Sequence, residues 1–239
     1  MPFRRPRHWL RWLIGSVVVL VVLAAAGPFV YIHFFNGSPP AALSLSSPTA
    51  SATSGGGSPA TTTTTSVAGT WTVGSGSTVG YRVNEVLLGQ STTAVGRSQS
   101  VTGHVTIQGT TVSAATFSVP MATVVSDKSQ RNAQFDGRIM DVSSYPTGTF
   151  TLTKPIALGT LPAVGVIKSY SATGNLTLHG HTRSVTFTLN AERTATTIEI
   201  QGSIPVLFSG WGISNPSIGG FVTTQDHGLL EFLLVSRMG

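Results

Sequence analysis

Residues 170–189 read YSATGNLTLHGHTRSVTFTL, and this stretch decides the fold class. Tyr170, Ala172, Gly174, Leu176 and Leu178 alternate with Ser171, Thr173, Asn175 and Thr177; after a short break, Val185, Phe187 and Leu189 alternate with Thr186 and Thr188. Period-two alternation places successive side chains on opposite faces, so each half reads as a strand with one apolar face. Between the halves, His179-Gly180-His181-Thr182 supplies a turn around Gly180. The stretch is an antiparallel hairpin.

The same grammar continues on both sides. Thr197-Ile198-Glu199-Ile200-Gln201 alternates again, and Leu229 to Val235 is largely apolar. Upstream, Gly109 separates two β-rich runs, Val101 to Ile107 and Val112 to Met121. Many short strands joined by glycine-containing turns predict an all-β barrel or sandwich. The long βαβ pattern of nucleotide-binding α/β folds is missing. One segment departs from strand patterning. Asp127 to Arg138 is rich in helix formers, with Asp127 as N-cap, Gln130 completing a capping box and Phe135 as the residue to bury. Gly137 and Tyr145-Pro146 end this short helix and lead into a strand containing Phe150.

Before this domain the composition changes twice. Leu13 to Phe35 is a run of 23 residues without Asp, Glu, Lys or Arg. It is long enough to cross a hydrocarbon core of about 30 Å. Arg4, Arg5, Arg7 and Arg11 precede it, which predicts a cytoplasmic tail over 1–12, a signal anchor over 13–35 and an extracytoplasmic C-terminal domain at the cell membrane. A signal peptide cleaved at Ala24-Ala25-Ala26 is the rival; Phe29, Val30, Tyr31, Ile32, Phe34 and Phe35 continue the run past that point and favour an uncleaved anchor. Residues 36–69 are rich in Ser, Thr, Gly, Ala and Pro, carry no charge, and read as a flexible linker. The domain is expected over 70–239.

The formal charge of +6 belongs mainly to the N-terminus, since residues 1–69 contain no acid. From Thr70 onward ten Lys/Arg face eight Asp/Glu. A domain so weakly charged, without a basic cluster, is not a nucleic-acid binder. Cysteine is absent, which removes disulfides, thiolate metal sites and thiol nucleophiles.

Several elements, in order, resemble the YceI-like family of lipocalin-like polyisoprenoid-binding domains. They are Trp71-Thr72-Val73, then Ser77 to Val83 (STVGYRV), then Ser126-Asp127 with Arg131 four residues beyond the Asp. Tyr145-Pro146 with Phe150 follows, then Gly174 to Val185, Trp211-Gly212-Ile213 and the closing Asp226 to Leu233. The resemblance spans about residues 70–237. It implies an extended eight-stranded antiparallel β-barrel with a helical insertion and a long apolar pocket for an isoprenoid or similar lipid. Two positions depart from the family pattern. The usual Arg-Asp pair of the helix reads Arg131-Asn132, and Asn84-Glu85 stands where a His is often found.

The candidate site is apolar. Tyr81 and Val83 share a face, as do Phe117, Val119 and Met121, Leu176 and Leu178, Val185 and Phe187, and Val206 and Phe208. Periodicity alone leaves open whether such residues fill a barrel or line a cavity. The resemblance favours lining, and the expected lipid contacts are Tyr81, Val83, Phe117, Val119, Met121, Phe135, Phe150, Leu176, Phe187 and Phe208. Arg131 has two roles open to it: pairing with Asp127 at i, i+4, or holding a polar headgroup at the pocket mouth. His179 and His181 lack a third ligand in sequence and read as turn residues rather than a metal site. No Gly-x-Ser-x-Gly elbow accompanies the many serines, and His104 reads as an ordinary strand residue. The expected function is therefore binding, not catalysis, with no cofactor: a membrane-tethered protein that sequesters or carries an isoprenoid or other long-chain lipid. A ligand-free β-barrel interaction module of the cell envelope is the alternative.

Overall fold

The structure, a computed structural model, describes residues 8–30, 39–45 and 66–239. Arg4, Arg5, Arg7, residues 31–35 of the expected span, and the linker stretches 36–38 and 46–65 lie outside the described residues. Helix α1 (His8–Val30) is a single run of 23 residues. Its described apolar side chains are exposed on every side, from Trp12 at 78% through Val17 to Val22. The side chains of 8, 10, 11, 23–25 and 27–30 lie outside the description, and among the described residues no helix is long and apolar enough to cross a membrane.

The remainder is the expected all-β domain. Its strands are β1 (Gly69–Val73), β2 (Thr78–Leu87), β3 (Gln90–Ser98), β4 (Thr102–Gln108), β5 (Thr111–Pro120), β6 (Val125–Ser126), β7 (Thr147–Leu152) and β8 (Ile156–Ala157). They continue with β9 (Lys168–Leu178), β10 (His181–Arg193), β11 (Thr197–Leu207), β12 (Val222–Thr224) and β13 (His227–Met238). All pairings are antiparallel. Eight strands form a ring in the order β1-β4-β5-β7-β9-β10-β11-β13, closed by β1 on β13. The last strand serves two partners: Ser236 to Met238 pair with β1, while Leu229 to Leu233 pair with β2. The β2–β3 hairpin thus extends the wall at one end of the barrel, with β12 alongside β2.

The hairpin that decides the fold is β9–β10, in register from Lys168↔Ala191 to Leu178↔His181. His179 and Gly180 both take left-handed backbone, φ +47° and +73°, the geometry of a two-residue turn whose twist matches that of the strands. Trp71 and Trp211 bury their rings by donating indole N–H to carbonyls, Trp71 to Val67 at 2.8 Å and Trp211 to Leu176 at 3.5 Å.

Helix α2 (Ser129–Gln134) is shorter than expected and is followed by one wide turn, Phe135–Ile139, with Gly137 inside it rather than after it. Its start also differs. Lys128 takes the N-cap position and makes no side-chain cap. The Asp127 carboxylate is drawn instead to Arg131 at 2.6 Å. Asn132 does the local organising: its side-chain oxygen accepts from the Ser126 amide at 2.7 Å and the Ser126 hydroxyl at 2.8 Å. The charge pair outcompetes the cap because a carboxylate gains more from a guanidinium than from one amide. Phe135 is buried as expected.

Two pieces of the expected linker touch the barrel. Val67 is buried among Trp71, Val105 and Ile107. Residues 39–45 run along the outer wall, where Arg82 donates to the Pro40 carbonyl at 2.7 Å and Gln201 to the Leu43 carbonyl at 3.1 Å. Arg97 reaches the Ala41 carbonyl at 3.5 Å, and Leu45 is only 8% exposed. The described parts of 36–69 are therefore in contact with the barrel.

Candidate functional site

The barrel interior holds a cavity of about 240 Å³, bounded almost wholly by apolar side chains. Its wall on β9 runs from Tyr170 to Leu178, about 26 Å at 3.3 Å per residue. So little volume over that length makes a narrow slot, shaped for a chain rather than for a compact ring system.

The waist of the slot is aromatic. Phe117 stacks on Phe150 with centroids 6.4 Å apart. Phe150 meets Phe187 edge to face at 5.5 Å, and Phe187 meets Phe232 in the same way at 5.8 Å. These rings come from β5, β7, β10 and β13 and so belt the barrel. Three of the four have an inward-facing glycine beside them that leaves them room. A Cβ on Gly103 would stand 2.7 Å from Phe117, on Gly174 2.4 Å from Phe150, and on Gly202 2.6 Å from Phe232. Toward the α2 end, Tyr81 stacks on Phe135 at 5.2 Å and lies over Gly96. Burial pushes the Tyr81 hydroxyl up to about 12, against the opposing pull of the Arg131 charge.

Eight of the ten apolar residues expected from sequence line this cavity: Tyr81, Phe117, Val119, Met121, Phe135, Phe150, Leu176 and Phe187. Val83 and Phe208 do not. Both are buried in the core, and Gly228 is so close that a Cβ there would meet Val83 at 2.7 Å and Phe208 at 3.5 Å. They are packing residues beneath the α2 end of the slot. Arg131 is also absent from the lining. Glu85 holds its guanidinium at 3.0 Å and Asp127 at 2.6 Å, so both arms of the fork are occupied by carboxylates. In the structure Arg131 clamps Asp127 to Glu85 of β2.

The half of the slot nearer β1 was not anticipated. Val67, Ile107, Ile156, Leu158, Leu161 and Ile198 line it. Ile107 and Ile198 carried the same alternation as the chosen residues; Val67 lay in a polar linker and Leu161 in a loop, where no period operates. Two cations frame this end. Lys168 donates to the carbonyls of Leu158 at 3.0 Å and Thr160 at 3.4 Å, with its ammonium 5.4 Å from the Tyr170 ring centre. Arg193, which lines the slot, donates to the Pro162 carbonyl at 3.4 Å. Together they pin the loop between β8 and β9 that borders this end of the slot.

Among the other candidates, His104 is exposed on its strand. His179 lies 3.2 Å from the Trp211 carbonyl and edge-on to Tyr145 at 4.6 Å, with the His181 ring 6.4 Å away. Among the described residues no group of three or more His, Cys, Asp or Glu is placed to hold a metal ion. What the slot offers chemically is removal of a long apolar surface from water, at about 25 cal/mol per Å².

A family model for the YceI-like domain matches residues 71–235. Among solved structures, a polyisoprenoid-binding domain from Saccharophagus degradans, implicated in plant cell wall breakdown, is similar with a TM-score of 0.58 at 15% identity. The match covers 72% of this chain and 99% of that one. BcnA from Burkholderia cenocepacia is similar with a TM-score of 0.53 at 22% identity, covering 66% of this chain and 95% of that one. At these identities the likeness is one of fold. No curated protein matches the chain.

Proposed function

Because this chain belongs to the YceI-like domain family, we propose that it binds an isoprenoid or a similar long-chain lipid in the barrel slot. The observation that carries this reading is the slot itself: long, narrow, apolar along its length and belted by aromatic rings. A polyprenyl chain needs no directional partner along its length, only a dry tube of matching width. The similar domain described as polyisoprenoid-binding supports this choice of ligand class. The reading is of a binding protein and assigns no reaction to any residue.

The proposal extends to the N-terminus. An apolar run from Leu13 to Phe35, preceded by four arginines, is the pattern of an uncleaved signal anchor with its N-terminus in the cytoplasm. The exposure of the described apolar side chains of α1 supports that reading, since such a helix is stable only when something apolar covers it. The barrel would then sequester or carry lipid at the outer face of the cell membrane.

The test is mass spectrometry of an organic extract from purified residues 39–239, with uptake of added polyprenyl lipid measured alongside. A prenyl lipid near one per chain, or saturable uptake, is expected. A clean extract that also takes up nothing leaves a ligand-free envelope module as the better account. Accessibility of the barrel to protease added outside intact cells tests the topology, and protection of the barrel would reverse it.

A further inference from the structure

The β2–β3 hairpin tip carries an exposed apolar patch that the core does not use. Val86 on the outer face of β2 and Leu88 in the turn that follows it are 40% and 44% exposed; Ile218 and Phe221, in the segment before and against β12, are 47% and 64% exposed. They form one surface. Thr223 pairs with Val86, the Leu88 amide donates to the Phe221 carbonyl at 2.9 Å, and Ile218 bridges Val222. An apolar rim with an aromatic at its edge is a surface suited to a lipid interface.

The anchored segment 39–45 shows which way this rim points. Leu43 is held by Gln201, which lies level with Thr78 of β2 through Leu233. Pro40 is held by Arg82, four residues further toward the hairpin tip. Followed back toward the N-terminus, the chain therefore climbs the wall toward Val86 and Leu88. From Arg82 to Leu88 is six residues, about 20 Å along the strand and about 15 Å along an axis from which strands tilt by some 40°. The opposite end is farther. Arg82 lies opposite Leu229, nine residues before Met238, or about 30 Å along the strand and about 23 Å along the axis. With the apolar run ending at Phe35, only four residues separate it from Pro40, five Cα-to-Cα steps with a reach of at most about 18 Å. That length reaches the hairpin end and falls short of the β1 end.

We propose that the rim formed by Val86, Leu88, Ile218 and Phe221 is a membrane-docking face, seated on the outer surface of the bilayer that α1 enters. The inference rests on the anchor and carrier readings above. It brings the α2 end of the slot, with Tyr81 and Phe135, to the lipid surface. Contact is apolar rather than ionic, because the cations near this end already face acids or carbonyls: Arg131 pairs with Glu85 and Asp127, Lys128 lies 3.9 Å from Asp127, and Arg138 donates to Gln134 and the carbonyls of Asn215 and Pro216. Docking is therefore expected to be insensitive to the anionic lipid content of the bilayer.

The absence of cysteine allows the test on the full chain. Phe221→Cys and Val164→Cys, the latter in the exposed loop at the β1 end, each carry one fluorophore in proteoliposomes containing lipids with a quencher on the acyl chain. Quenching several-fold stronger at 221 than at 164, unchanged between neutral and anionic vesicles, is expected. Equal quenching, stronger quenching at 164, or a chain that fails to float with the vesicles overturns the inference. Lipid retained in the barrel is extracted from the same samples. Retention without quenching at 221 removes the docking face and leaves the carrier; quenching at 221 without retention removes the carrier and leaves the face.

Discussion

The ring of Phe150 occupies the place where a side chain on Gly174 would stand: a Cβ there would lie 2.4 Å from the ring and 2.5 Å from the Thr151 carbonyl. One contact is with a ring that can turn, the other with backbone that cannot, so even one carbon forces β7 and β9 apart or drives the ring into the slot. Gly174→Ala is expected to lower stability by about 1–3 kcal/mol, the usual cost of overpacking. Lipid uptake should fall with it. Chemical denaturation and uptake on the same protein check this, and an alanine variant as stable as the parent would show that the belt has slack.

Val119 faces the slot and is only partly buried. Val119→Trp is expected to abolish uptake while the melting temperature changes little, because the ring enters open volume rather than a filled core. Thr188→Ala, on the exposed face, should alter neither property. Unfolding of the tryptophan variant, together with no uptake by the parent, would identify the interior as packed core.

Tyr81 predicts an alkaline limit. The unfolded chain loses this proton near pH 10.0 and the folded chain near about 12, because burial disfavours the phenolate. The contribution is complete below pH 10 and falls as pH rises toward 12, by at most about 3 kcal/mol. Tyr81→Phe, which cannot ionise, should lose less stability than the parent between those values. Melts at pH 9 and 11 on the two proteins measure the difference, and parallel losses would remove the assignment.

Glu231 is only 6% exposed, and its carboxylate sits between Arg82 and Arg97 on the wall that residues 39–45 cover. It accepts from Arg82 at 2.9 Å and from Arg97, which reaches it across Gly80. Glu231→Ala strands two cations that also hold the carbonyls of Pro40 and Ala41. A loss of about 2–4 kcal/mol is expected. Protease sensitivity should appear within residues 39–45, read by the mass of the first fragment; unchanged cleavage would separate the ion cluster from the docked segment.

Sequence period explains what could be read in advance. Wherever two strands alternate cleanly, as in Tyr170 to Leu189, both the hairpin and its inward face were legible. Alternation specifies a direction and not a depth, however. Val83 points the same way as Tyr81 but meets Gly228 and Phe208, and so packs where Tyr81 lines. Arg131 was open between two roles because its second partner, Glu85, is 46 residues away and reaches it only through the fold. The docked segment was illegible for a different reason. Pro40, Ala41 and Leu43 are held through their carbonyls, which every residue possesses, so nothing in their side chains announced the contact.

The double pairing of β13 has a consequence for how the chain acquires its structure. Trp71 meets Met238 across nearly the whole length of the domain, and the same final strand supplies the partners of β2 and β11. No closed ring exists until β13 has emerged, so a nascent chain stays an open sheet up to that strand. Contacts so distant in sequence make for slow folding. A frameshift or stop within the final strand would also bare three strand edges at once, each a template for pairing with another chain. Closure of the barrel is thus concentrated in β13, the strand farthest along the chain from the β1 it completes.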